Sequence, residues 1–398
     1  MTLKQKSNNQ IIYLDNNATT KIDPKVVEAM LPYFNYLYAN PASKHKFGES
    51  VDGAIMEARE KIANLISSAT NEIIFTSGAT EAINLAIKGV AESYSDKGKH
   101  IITVKTEHRA VLDVCKYLET KGFEITYLSV EKDGLLNLDD LRNNLRKETI
   151  IVSVMLVNNE IGVIQPIKEI ANIVHDNGSI FMTDATQAVG KIPINIDDLD
   201  IDLMTFSGHK FYGPKGIGGL YIRSRRPRKI KLLPLIHGGG HERGYRSGTL
   251  NVPGIIGLGK AAEIALQEME TNKEKIKEFR DYLEFELLKL DETFLNGNNE
   301  KRIYNTSNIC FKGVNAHFLI ERLKNIFVSN GSACSSASIQ PPHVLRAIGL
   351  SDIDAFSSIR FSLGKFNTKI QINTALDTLR KEILRLKKNK TNTSLTTK

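Results

Sequence analysis

The feature that most constrains the fold is a nearly unbroken apolar run over residues 150–157, Ile-Ile-Val-Ser-Val-Met-Leu-Val. A strand that is apolar on both faces is typical of a parallel sheet with helices on each side. The polar residues Asn158-Asn159-Glu160-Ile161-Gly162 follow at its carboxyl end, where open α/β sheets bind their ligands. A helical pattern over 166–177 and further apolar segments at 179–184 and 202–206 continue the alternation. The sequence therefore predicts an α/β fold with a three-layer, doubly wound and mostly parallel sheet.

The length of the chain and a change in pattern along it predict two domains. At 398 residues the chain can bury a large core. Residues 21–256 are expected to form the large α/β domain, and residues 1–20 together with 257–388 a smaller α+β domain. Residues 389–398 are polar and lack apolar periodicity, which predicts a disordered tail.

Charge and cysteine content narrow the class of function. The formal net charge of +8 comes partly from basic clusters at 223–231 and 380–390. Such clusters can attract nucleic acids or acidic proteins, but no aromatic residues are interleaved for base stacking, which favours a solvated basic surface. The three cysteines are widely spaced and form neither a disulfide framework nor a CxxC pair. With no apolar signal and no membrane-spanning run, these features predict a soluble, cytoplasmic protein.

A lysine and an aspartate at the ends of two predicted strands indicate a specific chemistry. Lys210 lies in Ser207-Gly208-His209-Lys210, just after the apolar segment 202–206, and Asp184 ends the segment 179–184. A lysine amine can form a Schiff base with the aldehyde of pyridoxal phosphate, and a carboxylate can pair with its pyridinium nitrogen. The alternative for Lys210 is an ordinary solvated loop lysine. The neighbouring motifs favour the cofactor.

Three further motifs are compatible with such a site. Thr76-Ser77-Gly78-Ala79-Thr80-Glu81 joins a strand to a helix, so backbone N–H groups and the Thr80 hydroxyl could hold a phosphate, with an ordinary helix cap as the alternative. His108 follows a strand-like segment and is a candidate for stacking on a ring and carrying protons, with a capping or surface histidine as the alternative. The glycine-rich residues 238–249 predict a loop shaped around an anion or another subunit.

The cysteines differ in their surroundings, and one arginine needs a partner. Cys334 lies in residues 329–338, whose small side chains predict an exposed, mobile loop. Such a thiol can act as a nucleophile when its pKa is lowered, and an incidental cysteine in a Ser/Gly linker is the alternative. Cys115 and Cys310 lie on apolar segments, as structural thiols do. Arg360 alternates with apolar residues on a predicted strand, and a substrate carboxylate is one partner that it could bind.

Taken together, the motifs resemble the cysteine desulfurases of class I, the NifS/IscS type, within the fold type I pyridoxal-phosphate enzymes. The resemblance runs from about Tyr13 to Leu386. It rests on nine segments in order: Leu14-Asp15-Asn16-Asn17-Ala18-Thr19-Thr20, Thr76-Ser77-Gly78-Ala79-Thr80-Glu81, Lys105-Thr106-Glu107-His108, Val157-Asn158-Asn159-Glu160-Ile161-Gly162, Asp184-Ala185-Thr186-Gln187, Ser207-Gly208-His209-Lys210, residues 238–249, Gly331-Ser332-Ala333-Cys334 and Ser358-Ile359-Arg360-Phe361-Ser362. The long Gly-Ser-Ala-Cys loop is similar to class I, because class II enzymes carry the cysteine in a short, histidine-containing segment.

The resemblance implies a role for each matching residue. Lys210 would form the Schiff base, Asp184 would pair with the pyridinium nitrogen, and Gln187 would bond the ring oxygen. His108 would stack on the ring and move protons, while Asn158 would lie beside the ring and the substrate. The phosphate would be held by residues of both chains of a homodimer: Ala79, Thr80, Ser207, His209 and Thr249 of the partner subunit. The substrate carboxylate would bind Arg360 and Asn40.

The resemblance also implies the reaction and its partners. Cys334 would attack the sulfur of L-cysteine, release L-alanine and keep the sulfur as a persulfide. The persulfide would pass to iron–sulfur scaffold proteins and tRNA thiolation proteins, and Cys334 could transiently ligate an iron–sulfur cluster. Neither a membrane nor a nucleic acid is expected as a direct partner.

Several alternatives are open at this stage. A related pyridoxal-phosphate lyase or aminotransferase would share the fold without needing a mobile thiol. A nucleic-acid-binding protein could use the basic clusters. The Asp15-Asn16-Asn17 start is closer to the NifS form, and the end of the chain differs from the usual IscS tail, so housekeeping and nitrogenase-dedicated roles are both open.

Overall fold

The computed structural model describes residues 11–331 and 340–395, and from residue 389 it describes the backbone alone. Most of the predicted cysteine loop at 329–338, with Cys334, therefore lies outside the described residues. The described strands are β1 Ile12–Tyr13, β2 Ile73–Thr76, β3 His100–Val104, β4 Glu124–Leu128, β5 Thr149–Ser153, β6 Ile180–Asp184, β7 Leu203–Ser207, β8 Gly218–Ile222, β9 Thr293–Leu295, β10 Thr306–Phe311, β11 Ile326–Phe327 and β12 Ser358–Ser362. The described α-helices are α1 Pro24–Met30, α2 Pro32–Asn35, α3 Lys46–Ile66, α4 Ala79–Ser93, α5 Arg109–Glu119, α6 Leu138–Asn144, α7 Ile167–Asp176, α8 Val252–Leu288, α9 Ala316–Arg322, α10 His343–Ala347, α11 Asp352–Phe356 and α12 Lys369–Leu395.

A seven-stranded sheet with the order β2-β8-β7-β6-β5-β3-β4 forms the centre of the chain. The five strands from β7 to β4 pair in parallel, and β8 pairs antiparallel with both β7 and β2. Helices α4 and α5 pack on one face of the sheet, while α3, α7 and α8 pack on the other. The predicted three-layer α/β fold with a mostly parallel sheet is confirmed.

The apolar run over 150–157 forms a shorter strand than its composition predicts. Strand β5 ends at Ser153, although Val154 and Leu156 still donate backbone hydrogen bonds to the β6 segment, at 3.1 and 3.0 Å. The chain then enters a tight loop in which Gly162, with φ +75°, donates to the Asn158 carbonyl at 3.0 Å. All residues from 150 to 157 are buried, including those beyond the end of β5. Burial therefore explains why the apolar run is longer than the strand.

Two smaller sheets hold the two ends of the chain together. Strands β12-β10-β9 form an antiparallel sheet, and β1 pairs in parallel with β11, so Ile12 faces Ile326 in the register. Helix α8, of 37 residues, crosses the predicted domain boundary at 256 and packs against α3, α1 and α12. One buried apolar cluster includes residues on both sides of that boundary. The division into two domains stays a prediction.

The last helix, α12, covers part of the predicted disordered tail. Its described backbone is helical to Leu395, and the disorder of residues 389–398 stays a prediction. Ile372, Leu376, Leu379 and Ile383 bury one face of this helix in the core. Once that packed part has formed, each added turn costs little because helix propagation is much easier than nucleation. No helix in the described ranges is long and apolar enough to cross a bilayer.

Candidate active site

A cavity of about 970 Å³ opens at the carboxyl edge of the parallel strands. Nine residues that the sequence predicted for the site line it together: Ala79, Thr80, His108, Asp184, Gln187, Ser207, His209, Lys210 and Arg360. Eight of the nine lie at or just after the ends of β2, β3, β6 and β7, and the ninth, Arg360, lies on β12. The fold therefore brings distant segments to one place, as parallel strands do at a shared edge.

Lys210 ends a single 3₁₀ turn, Gly208–Lys210, directly after β7. Its Nζ donates to the backbone carbonyls of Asn17 and Ala18, at 2.6 and 2.8 Å. The N-terminal segment that supplies these carbonyls is fixed in turn, because Thr20 donates its N–H to the His209 carbonyl at 2.9 Å. Two carbonyl acceptors orient the amine within the cavity.

Asp184 ends β6 and is almost fully buried. Its Oδ1 accepts hydrogen bonds from the Thr186 N–H at 2.9 Å and from the Thr205 hydroxyl at 3.5 Å. Among the described residues no partner bonds its Oδ2, so a ring N–H could do so.

Glu107 lies completely buried near this carboxylate, with its Oε1 accepting from the Met155 N–H at 2.5 Å. Burial, and secondarily the negative charge of Asp184, raises the pKa of Glu107 well above its ordinary value. Burial therefore favours the neutral form of the Glu107 carboxyl. The sequence motif contained Glu107, but sequence reasoning gave it no role.

Helix α4 starts at the opposite end of the cavity without a side-chain cap. Gly78 precedes it with φ +155°, and the Ser207 hydroxyl lies 3.6 Å from where a Gly78 Cβ would stand. The N–H groups at this start, with the hydroxyls of Thr80 and Ser207, are a donor set that suits a phosphate. Ser77 is bonded elsewhere, since its N–H donates to Glu81 at 2.8 Å.

Two histidines lie near the start of α5. His108 caps that helix, and its Nδ1 accepts from the Ala110 N–H at 3.1 Å, so the neutral ring carries its proton on Nε2. His343 donates from Nε2 to the Glu107 carbonyl at 2.9 Å, and burial, followed by the nearby positive charge of Arg109, lowers its pKa. His343 lines the cavity and was not predicted. Its only sequence signal is its place after Pro341-Pro342 at a helix start.

His209 also lines the cavity as a neutral ring. Its Nδ1 lies 3.0 Å from the Thr19 hydroxyl. Burial, and then the positive charges of Lys210, Lys215 and Lys191, lower its pKa to about 4. At neutral pH the ring can therefore take part in hydrogen bonds without adding a positive charge.

Arg360 is 1% exposed and already has a carboxylate partner. Its guanidinium donates to Asp15 Oδ1 at 2.6 Å and to the Asn159 carbonyl at 3.0 Å. The Nε of Arg360 is buried with no partner among the described residues. The sequence predicted that Arg360 needs a partner, but it did not predict that the Asp15 carboxylate is one.

Three predicted site residues do not line the cavity in this chain. Asn158 uses its amide within its own loop, because Oδ1 accepts from the N–H groups of Glu160 and Ile161 and Nδ2 donates to the Thr106 carbonyl. Asn40 is exposed and caps its own turn by accepting from the Ala42 N–H at 3.0 Å. Thr249 is exposed in the glycine-rich loop.

Cys115 and Cys310 are buried free thiols. Burial is the main cause that raises the pKa of Cys115 to about 12 and that of Cys310 to about 11. A thiol in this state carries almost no thiolate at neutral pH, so neither cysteine is a nucleophile. Cys334, the predicted nucleophile, lies outside the described residues. Among the described residues no group of three His, Cys, Asp or Glu side chains is arranged to hold a metal.

The glycine-rich loop at 238–249 is anchored by a buried ion pair. Glu242 accepts from both terminal nitrogens of Arg59, at 2.9 and 2.7 Å, and from the Phe75 N–H at 2.8 Å. Glu242 and Arg243 both have positive φ, 47° and 56°, a conformation that costs about 1–2 kcal/mol for each non-glycine residue. The ion pair holds this strained turn beneath β2.

The donor set fits pyridoxal phosphate. A lysine amine, a buried aspartate and an uncapped helix start share one cavity with a buried arginine. These are the groups needed by an aldehyde, a pyridinium nitrogen, a phosphate and a substrate carboxylate.

Comparison with known proteins agrees with this geometry. The family model for aminotransferase class-V matches residues 12–374. The cysteine desulfurase IscS of Edwardsiella ictaluri (strain 93-146) is 52% identical over 379 residues, which are 94% of this chain and 93% of that protein. A solved NifS-like protein is 38% identical with a TM-score of 0.88, over 94% of this chain and all of that one. SspA, solved in complex with cysteine, is 38% identical with a TM-score of 0.78, over 90% of this chain and all of that one. The chain therefore belongs to the aminotransferase class-V family and, within it, to the cysteine desulfurases of the IscS and NifS type.

Proposed function

We propose that this chain is a pyridoxal-phosphate-dependent cysteine desulfurase that acts as a cytoplasmic homodimer. The observation that carries the proposal is the cavity in which Lys210, Asp184 and the start of α4 face one volume, with Arg360 on its wall. The chain takes the sulfur of L-cysteine and releases L-alanine. In the overall change one Cβ–S bond breaks, one S–S bond forms on the enzyme thiol, and one thiol proton ends on the carbon. No outside oxidant is needed, because the carbon is reduced as the sulfur is oxidised.

Each residue of the cavity has a defined task in this reaction. Bound pyridoxal phosphate supplies an electron sink that weakens bonds at the substrate Cα and Cβ. Lys210 would hold the cofactor through its aldehyde, and its amine, placed by the Asn17 and Ala18 carbonyls, would move protons at the substrate. Asp184 would accept a hydrogen bond from the ring N–H, and burial of Glu107 behind it favours the neutral form of that second carboxyl. His108, whose Nδ1 accepts from the Ala110 N–H, would stack on the ring and exchange protons with the substrate thiol through Nε2.

The substrate carboxylate binds at Arg360. One terminal nitrogen of Arg360 already donates to Asp15. The substrate carboxylate therefore binds the remaining N–H groups of the guanidinium. Asp15 also holds the fork in one orientation, which reduces the entropy that binding costs. Asn158 acts indirectly by holding its loop, since its own amide is fully engaged.

Cys334 accepts the sulfur and keeps it as a persulfide. The two described cysteines are buried, and their raised pKa values leave them as thiols. The persulfide then passes to iron–sulfur scaffold proteins and tRNA thiolation proteins, and it can ligate an iron–sulfur cluster during transfer. A cytoplasmic location fits, because Cys115 and Cys310 are free rather than paired.

A second copy of the chain completes the site. Thr249 and Asn40 were predicted to contact phosphate and substrate, yet both are exposed and outside the cavity of their own chain. The segment 31–38 carries large exposed apolar side chains, among them Phe34 and Tyr36. Phe34→Glu should reduce the dimer fraction in sedimentation, whereas the equally exposed Phe285→Glu on α8 should not.

The test of the activity uses purified enzyme and L-cysteine. Wild-type enzyme should release alanine and sulfide in equal amounts when a reducing thiol is present. Lys210→Ala should lose the visible absorbance of the bound cofactor and all turnover. Sulfide released with pyruvate and ammonia in place of alanine would instead support a lyase, and an amino group transferred to a keto acid would support an aminotransferase.

The basic cluster at 223–231 gives little support to a nucleic-acid-binding function. Arg223, Arg225 and Arg228 pair with acidic side chains of the same chain, chiefly Asp197 and Asp202. Charges that are already paired release few counterions from a nucleic acid, so they add little affinity.

A further inference from the structure

Lys191 is a buried lysine with no role in the reaction described so far. It is 4% exposed, and its Nζ donates to Gln187 Oε1 at 2.7 Å. None of the ion pairs among the described residues involves Lys191. A buried amine without a carboxylate partner is costly, so its presence next to the site needs a physical reason.

A hydrogen-bond chain links Lys191 to the amine of Lys210. Gln187 uses its Oε1 for Lys191 and donates from Nε2 to the Asn17 carbonyl at 2.9 Å. The same Asn17 carbonyl accepts from Lys210 Nζ at 2.6 Å. The two amines are therefore separated by one amide side chain and one carbonyl.

The turn after β6 makes this chain possible. Ala188 and Val189 donate to the Ala185 carbonyl, at 2.8 and 2.9 Å, so the backbone coils and brings Gln187 and Lys191 to the same side. Gly190 completes the turn with φ +73°, and a Cβ there would stand 2.7 Å from Phe211 Cβ. Only glycine allows this close approach.

We propose that Lys191 is a positioning residue that fixes the amide of Gln187 with its oxygen turned to Lys191 and its N–H groups turned to Asn17 and the cavity. The inference rests on the proposed function. An ammonium has donors and no acceptor, so a flipped amide would place N–H against N–H. The orientation matters because only the N–H side of Gln187 can donate to the ring oxygen of the cofactor.

The charge of Lys191 is also coupled to its neighbours. Burial, and then the positive charges of Lys210 and Arg360, lower its pKa to about 7. His209 faces the same group of cations, and Asp184 begins the turn that carries Lys191. Removing the Lys191 charge should therefore make protonation of Lys210 easier.

The first experiment uses apoprotein, so it does not depend on cofactor binding. The rate at which an amine-specific reagent modifies Lys210 is measured against pH, with peptide mass spectrometry to identify the site. Lys191→Met should shift the Lys210 profile to higher pH, and the control Lys61→Met, on a half-buried lysine of α3, should not. An unshifted profile in Lys191→Met overturns the coupling. Thermal unfolding should show that Lys191→Met is at least as stable as wild type.

The second experiment is a double-mutant cycle on the affinity of apoprotein for pyridoxal phosphate. Lys191→Met should weaken binding by roughly 2- to 10-fold, the range for one hydrogen bond. In a Gln187→Met background the same change should have a clearly smaller effect, because only the charge coupling to Lys210 is then left. Equal effects in both backgrounds, or wild-type affinity in Lys191→Met, overturn the positioning role alone. Wild-type apoprotein that binds no pyridoxal phosphate overturns the proposed function and the role of Lys191 together.

Discussion

Replacing Glu242 by alanine should both destabilise the chain and release the glycine-rich loop. The Glu242 carboxylate lies beneath β2, where it pairs with Arg59. The side chains of Glu242 and Arg59 are 2% and 5% exposed, respectively. Removal leaves the Arg59 guanidinium buried with one backbone acceptor, Ile73, at 2.6 Å. It also leaves the Phe75 N–H without its acceptor.

The size of the effect follows from what is left unpaired. Breaking a buried ion pair by removing one partner costs about 3–5 kcal/mol, since a charge is left uncompensated. A buried N–H without its acceptor adds roughly 1–3 kcal/mol, partly offset if water enters the space left by the carboxylate. The substitution does not relieve the strain of the left-handed backbone at Glu242 and Arg243, because alanine still has a Cβ. We therefore expect a loss of about 4 kcal/mol, a large part of a typical folding free energy of roughly 5–15 kcal/mol.

Urea unfolding of the apoprotein measures the loss, and hydrogen exchange of residues 238–249 measures loop release. Glu242→Gln should be intermediate, because it keeps an acceptor for the Phe75 N–H. The matched control is Glu284→Ala, which breaks the bidentate pair with Arg302, at 2.7 and 2.9 Å, away from this loop. It should lower stability without faster loop exchange. A loss under about 1 kcal/mol for Glu242→Ala, or unchanged loop exchange, would refute the reasoning.

Three further outcomes are expected. Glu107→Gln should gain stability over wild type as pH rises above the ordinary glutamate range, because the folded-state pKa of Glu107 is raised and ionisation then opposes folding; urea titrations that show a pH-independent difference would contradict this. In wild-type enzyme treated with L-cysteine, mass spectrometry should find persulfide on neither Cys115 nor Cys310, and their serine variants should keep activity; persulfide on either would overturn Cys334 as the acceptor. Truncation after Leu386 should slow sulfur transfer to an acidic scaffold protein in a salt-dependent way, and equal rates at low and high salt would exclude docking by the tail.

The sequence predicted the central sheet well because its strands are buried on both faces. The segments ending at Asp184 and Ser207 are apolar throughout, which identifies a covered parallel strand without any knowledge of its neighbours. The end of β5 was missed, because it depends on pairing partners that are distant in sequence, and a local pattern does not contain them.

Candidate site residues could be predicted where a local sequence motif marks them. They could not be predicted where they depend on contacts between distant segments. Lys210 follows a strand and precedes a glycine-rich turn, so its place could be recognised. Lys191, His343 and the pairing of Arg360 with Asp15 depend on contacts between segments that are far apart or on a turn that only glycine permits. Glu107 was present in a quoted motif, but its raised pKa results from complete burial, which the sequence does not report.

The bonds between the N-terminal segment and β12 also affect when the site can form during synthesis. The segment whose Asn17 and Ala18 carbonyls hold Lys210 is held in place partly by the Asn17 N–H, which donates to the Ser362 hydroxyl at 2.9 Å. Ser362 is made 362 − 18 = 344 residues after Ala18, a delay of roughly 17–70 s at ribosomal rates of about 5–20 residues per second. Strand β1 likewise stays unpaired until β11 has been made. We therefore expect the proposed Lys210 site to form only late in synthesis, and a product truncated before β12 to bind the cofactor poorly.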